Sequence, residues 1–129
     1  MRERKRKNIV KELDTIFSLY IRKRKSKNDI AECYTCGKKD FYKNLQCGHF
    51  VSRKHYATRW DETNCQVQCY SCNVARYGEQ FKFGIQLNIE YGKNVAETLM
   101  AKGKQIVKFT NNDLLDKIKH YKNLVNNLV

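Results

Sequence analysis

Proline is absent from this chain of 129 residues, and only six residues are glycine. With no Pro-, Gly- or Ser-rich stretch to serve as a linker and no internal repeat, nothing marks a boundary between two domains. Acid is scarce as well: 13 Asp and Glu stand against 26 Lys and Arg, for a formal net charge of +13. No apolar run approaches the roughly 18 residues of a transmembrane helix, which argues against a membrane protein. The basic N-terminus is not followed by an apolar segment and a small-residue cleavage site, so it does not read as a secretory signal, and a cytoplasmic location is expected.

The charge that is present points to a partner. A surface this positive favours nucleic acid, because neutralising phosphates releases counterions and supplies most of the non-specific affinity. A reducing compartment would keep the six cysteines as thiols, which favours metal binding over disulfides. Four of them form two Cys-x-x-Cys pairs, Cys33/Cys36 and Cys69/Cys72. That pattern suits a tetrahedral, four-thiolate structural zinc site with no coordination position left for water. Gly37 supplies a permissive backbone after the first pair. Cys47 and Cys65 remain over and read as small buried hydrophobes beside strands.

After the charged run 1–7, the residues Ile9, Leu13, Ile16, Phe17, Tyr20 and Ile21 recur with helical spacing. The basic run 22–27 closes that helix, as either a solvated end or a phosphate-contacting patch. Residues 28–30 read as a connector. Residues 41–51 read as a strand running into His49, 52–63 as a long loop with Trp60 anchoring a small core, and 65–68 as a return strand. A helix is expected from about Asn73 to Gly92, placing Arg76 one turn after Asn73 on the same face. A shorter helix follows over 94–102. Thr110 and Asp113 begin a last one, whose apolar residues run from Leu114 to Leu128.

His49 at the end of one strand, Asn64 at the start of the next and Asn73 after the second cysteine pair follow the order of parts in a ββα-metal, or HNH, nuclease. The runs Cys33-x-x-Cys36, Gly48-His49-Phe50, Arg53, Arg59-Trp60-Asp61-Glu62-x-Asn64-Cys65, Gln68-Cys69-x-x-Cys72-Asn73 and Gly78 resemble the bacteriophage NinG (Rap) recombination endonucleases over residues 31–92. The Cys72-Asn73 junction is similar to that of phage endonuclease VII. The resemblance implies an α+β fold: a small HNH core with a four-cysteine zinc ribbon over 31–92, a basic N-terminal helix over 1–28 and a C-terminal helical segment over 93–129, all in one domain.

The resemblance also implies roles. His49 matches the general base, Asn73 the ligand of a catalytic magnesium or manganese ion, Asn64 the residue that ties the loop and aims His49, and Arg76 a phosphate grip. Where most HNH sites carry an acid or histidine just before the base, this chain has Gly48. Asp61 is the preferred substitute ligand, ahead of Glu62, His55 and Glu79; the alternative is that His49 itself ligates. The implied activity is metal-dependent cleavage of branched DNA such as Holliday junctions, D-loops or forks, in the host cytoplasm for a phage-encoded chain. The rival readings are an HNH enzyme nicking or restricting ordinary duplex, and a non-catalytic zinc-ribbon accessory protein. Symmetric cutting of a junction would need two sites, which makes a homodimer attractive; the apolar faces of the first and last helices either supply its interface or, as ordinary packing faces, cover the core.

Overall fold

Ile9, Leu13, Phe17 and Ile21 fall at every fourth position and so form one stripe along helix α1 (Arg6–Lys23), where all four are buried. The computed structural model describes residues 4–128, so the first three residues of the charged run 1–7 lie outside it. Within that span the stripe meets a matching one, Leu114, Ile118 and Tyr121, on helix α5 (Asn111–Asn126). Phe17 and Tyr121 pack edge to face with ring centroids 4.9 Å apart, and Lys122 pairs with Glu12 at 3.0 Å across the seam. The start of α5 is the expected capping box. The Thr110 hydroxyl accepts from the Asp113 N–H at 3.1 Å, and the Asp113 carboxylate accepts from the Thr110 N–H at 2.8 Å.

The terminal helices are therefore not flanks. Trp60 and Cys65 join the α1–α5 core, so α1 lies between α5 and the sheet that carries His49. Of the two readings of these apolar faces, the structure shows the packing one: they are buried against each other within one chain.

Two separate antiparallel hairpins form the β structure. Strands β1 (Ile30–Glu32) and β2 (Lys39–Phe41) pair with Ala31 opposite Asp40, and the first cysteine pair sits in their connection. This hairpin replaces the expected connector, and a 3₁₀ turn over Tyr42–Asn44 interrupts the strand expected over 41–51. Strands β3 (Gln46–His49) and β4 (Cys65–Gln68) pair with His49 opposite Cys65 and Gly48 opposite Gln66. The loop expected between them contains one helical turn, α2 (Tyr56–Arg59). Its Thr58 is buried, and its Tyr56 packs on Trp60, which is itself buried as an anchor.

The helix expected from Asn73 is split. A π-helical turn over Ser71–Ala75 contains Cys72 of the second cysteine pair, and then Tyr77, Gly78 and Glu79 take left-handed backbone with φ of 54°, 88° and 50°. Three such residues in a row cannot continue a right-handed helix. Helix α3 (Gln80–Tyr91) starts only after them and packs on α4 (Val95–Gly103) through Phe83, Leu87 and Leu99.

Candidate metal centre and nucleic-acid cleft

The two Cys-x-x-Cys turns bring Cys33, Cys36, Cys69 and Cys72 together with all four sulfurs within 4.8 Å of one another. The Cys36 and Cys69 Sγ atoms are 3.7 Å apart. A tetrahedral zinc–thiolate shell spaces its sulfurs by about 3.8 Å, so the cluster fits that ion. Donors surround the sulfurs: the Cys72 N–H points at Cys69 Sγ at 3.4 Å, and Thr35 Oγ1 lies 3.6 Å from Cys33 Sγ. Burial opposes ionisation of Cys33, but the Cys69 N–H, the Thr35 hydroxyl and the neighbouring amides outweigh it and pull this thiol down to about 6. Burial instead pushes Cys72 up to about 12. A protein-bound dication is the natural means of ionising all four together.

His49 ends β3 and lines a cleft of about 540 Å³ with Cys47, Ser52, Arg53, Asn73 and Tyr77. Its Nε2 lies 2.9 Å from the Arg59 carbonyl oxygen. A carbonyl can only accept, so Nε2 carries the hydrogen and Nδ1 carries the lone pair. Burial holds the imidazole below its usual range, against the opposing pull of the Arg59 carbonyl. The carbonyl is itself well fixed. Asp14, on α1, accepts from Arg59 Nε at 3.1 Å, from Arg59 Nη2 at 2.5 Å and from Trp60 Nε1 at 3.0 Å. Asp14 is thus a support for the site that no local motif singles out, because its partners lie far along the chain.

Asn64 is fully buried and laces the loop ends together. Its Oδ1 accepts from the Val51 N–H at 2.8 Å, and its Nδ2 donates to the Val51 and Thr58 carbonyls at 3.1 and 3.0 Å. Asn73, in the π-helical turn, donates from Nδ2 to Gln46 Oε1 at 2.7 Å, which leaves its own carbonyl oxygen for the cleft. Arg76 closes that turn, exposed and outside the cleft lining; the arginine that lines the cleft is Arg53. Arg53 also lines a second, basic groove of about 600 Å³ along α1, with Lys7, Lys11, Arg22 and Arg59.

Among the described residues no carboxylate lines this cleft, but Asp14 lines the adjoining cavity of about 280 Å³ together with Cys47, His49, Arg53 and Asn73. Asp61 caps the Thr63 and Asn64 amides at 2.8 and 3.2 Å and pairs with Lys102 at 2.5 Å. Glu62 accepts from the Tyr121 hydroxyl at 3.1 Å, and Glu79 pairs with Lys82 at 3.6 Å. Gly48 itself is a steric requirement. A Cβ there would lie 1.9 Å from Gln68 Oε1, and Gln68 is buried and anchored through Nε2 to Thr35 Oγ1 at 3.0 Å and the Gly78 carbonyl at 2.9 Å. The basic run 22–27 is also partly internal. Arg22 donates to the Tyr42 carbonyl at 3.2 Å, and Arg24 donates to the Glu62 and Cys65 carbonyls at 2.9 Å each.

These features define a small α+β protein whose hairpins meet at a four-cysteine cluster suited to structural zinc, with a histidine- and asparagine-lined cleft beside it. The family model described as bacteriophage lambda NinG protein matches residues 1–129, and the chain belongs to that phage recombination-related family. The match extends the expected likeness, over 31–92 with a looser one in the C-terminal helix, to the N-terminal helix, in keeping with the central place of α1. Comparison with curated proteins and with solved structures returns no match. Among the described residues no helix is long and apolar enough to cross a membrane.

Proposed function

We propose that the chain is a metal-dependent endodeoxyribonuclease of the HNH type, acting on branched recombination intermediates such as Holliday junctions, D-loops or forks. One observation carries the reading: a histidine lines a cleft with an asparagine and an arginine, and its Nε2 is committed to a backbone carbonyl. In this reading His49 Nδ1 takes the proton from the water that attacks phosphorus. Asn64 holds the two strand ends so that His49 stays aimed. Arg53 binds a non-bridging phosphate oxygen through its planar fork, in the role first expected of Arg76. Asn73 offers the hard oxygen donor suited to magnesium or manganese. Such an ion, when bound, supplies charge stabilisation on the phosphate and on the leaving oxygen.

The DNA partner is supported by the groove along α1. Arg6 and Lys7 stand at the N-terminal end of a helix whose first turn holds no acid, where the macrodipole disfavours cations. Positive charge placed against the helix's own stability is suited to an external anion. The preference for branched DNA rests on family membership, and paired cutting would require a dimer through a surface other than the α1–α5 faces. Comparing cleavage of a four-way junction with cleavage of its linear arms in magnesium or manganese tests the proposal. His49→Ala should lower the rate by roughly 10²- to 10⁴-fold, and Asn73→Ala should remove the metal-stimulated cleavage. Equal rates on the linear arms would assign the chain to ordinary duplex, and activity surviving both substitutions would move the active site elsewhere.

The carboxylate beside the cleft, Asp14, is already bonded to Arg59 and Trp60, which favours a second reading, a zinc-stapled DNA-binding accessory protein without catalysis. Tight junction binding with no cleavage in either metal would establish it.

A further inference from the structure

A second group of metal donors lies within the sheet itself. Antiparallel register sets Cys65 opposite His49, and the two-residue period sets Cys47 on the same face as His49. The ligand atoms of Cys47, His49 and Cys65 all lie within 4.8 Å of one another. A tetrahedral shell with zinc-like bond lengths spaces two sulfurs and an imidazole nitrogen by about 3.3–3.8 Å. Closing this triad on an ion therefore asks for side-chain adjustments of no more than about an ångström.

We propose that Cys47, His49 and Cys65 form a second site, for a thiophilic divalent ion such as zinc, and that its occupation withdraws His49 from the cleft's chemistry. Two thiolates and an imidazole are a donor set for zinc-class ions and a poor one for magnesium. The site has an entrance, because half-buried Cys47 lines the cleft, while Cys65 is fully buried behind it. Its histidine also has an outer-shell partner. The Arg59 carbonyl, held in place by Asp14, accepts from His49 Nε2 at 2.9 Å. A ligating histidine ordinarily donates its other ring N–H to such a group.

The consequence for His49 follows from counting electron pairs. A neutral imidazole has one nitrogen lone pair. If the ion takes Nδ1, that pair is used in the metal bond. If it takes Nε2, the proton moves to Nδ1. Either way no nitrogen is free to accept a proton from water. Binding releases the two thiol protons to solvent, with no change of oxidation state. This inhibitory half rests on the proposed role of His49 as base; the existence of the site does not.

The test uses the full chain carrying one equivalent of zinc, titrated with cobalt(II). A second equivalent is expected to bind, with a thiolate-to-metal charge-transfer band about half as intense as that of a four-thiolate site, since the band scales with the number of thiolates. Cys47→Ser and Cys65→Ser should each lose that equivalent while keeping the first and the helical circular dichroism. His49→Gln should weaken it by at least about tenfold. One metal per chain in the unaltered protein, or a second equivalent that persists in both serine variants, would overturn the site. For the inhibitory half, the ratio of cleavage rates with and without the second equivalent should fall well below one in the unaltered chain and stay near one in Cys65→Ser. A second equivalent that leaves the rate of the unaltered chain intact would overturn it. If no variant cleaves DNA at all, metal stoichiometry still decides the site, and the nuclease reading fails separately.

Discussion

His49 is held neutral by being buried, and this has a measurable sign. Its folded value lies below the usual 6.5, so the unfolded chain binds its proton first as the pH falls. Stability contributed by the neutral imidazole is complete above about pH 6.5 and declines as the pH drops toward the folded value. An NMR titration of protein carrying its structural zinc should place the His49 midpoint below about 6.5, the ordinary imidazole value, and His49→Gln should flatten the loss of stability below about pH 6.5. A midpoint at or above that ordinary value would contradict the buried, carbonyl-bound geometry. The missing acid at position 48 is likewise a local matter. Gly48→Asp would drive a Cβ into Gln68 and should destabilise the fold by about 1–3 kcal/mol in denaturant unfolding. Gln68→Ala in the same chain should recover part of that loss, and strictly additive effects would remove the steric account.

At the scale of elements, the four-cysteine cluster joins hairpin β1–β2 to the turn after β4, and each of its four ligands comes from one of these two turns. Chelating the metal, or replacing Cys72 with Ser, should lower the melting temperature, release one zinc per chain and expose the β1–β2 amides to hydrogen exchange before those of α1 and α5. Unchanged exchange in β1–β2 after metal loss would show that the staple is dispensable. Much of this layer was legible in the residues. The four-residue spacing of α1, the capping box of α5, strand β4 and the cysteine pairs each follow from local chemistry. Other parts were not. A three-residue strand such as β1 has too few side chains to show a period, and the break at Tyr77–Glu79 depends on left-handed backbone adopted by residues that rarely take it. Asp14, Arg22 and Arg24 look like ordinary surface charges until distant carbonyls and side chains meet them. The cleft was partly readable. His49, Asn64 and Asn73 came from the order of motifs, whereas Arg53 in place of Arg76, and Asp61 bound to backbone amides, are outcomes of tertiary geometry.

Across the whole molecule, the groove along α1 and the His49 cleft share Arg53 and so form one continuous track. Lys7 and Lys11 stand at its far end, away from His49. Replacing either with Gln should weaken DNA binding on every sequence to a similar degree and reduce the slope of log affinity against log salt by about 0.9, with helical content preserved. An unchanged salt slope would place the DNA elsewhere.

The pairing of α1 with α5 also sets an order of events in time. Leu13 and Phe17 are completed by Leu114, Ile118 and Tyr121, which are made roughly a hundred residues later. The cysteine turns, by contrast, close within a central stretch from Cys33 to Cys72. Loop closure over the longer separation is entropically dearer and slower. On a ribosome the metal-bound centre can therefore assemble first, while α1 waits with its apolar stripe uncovered until the last helix emerges.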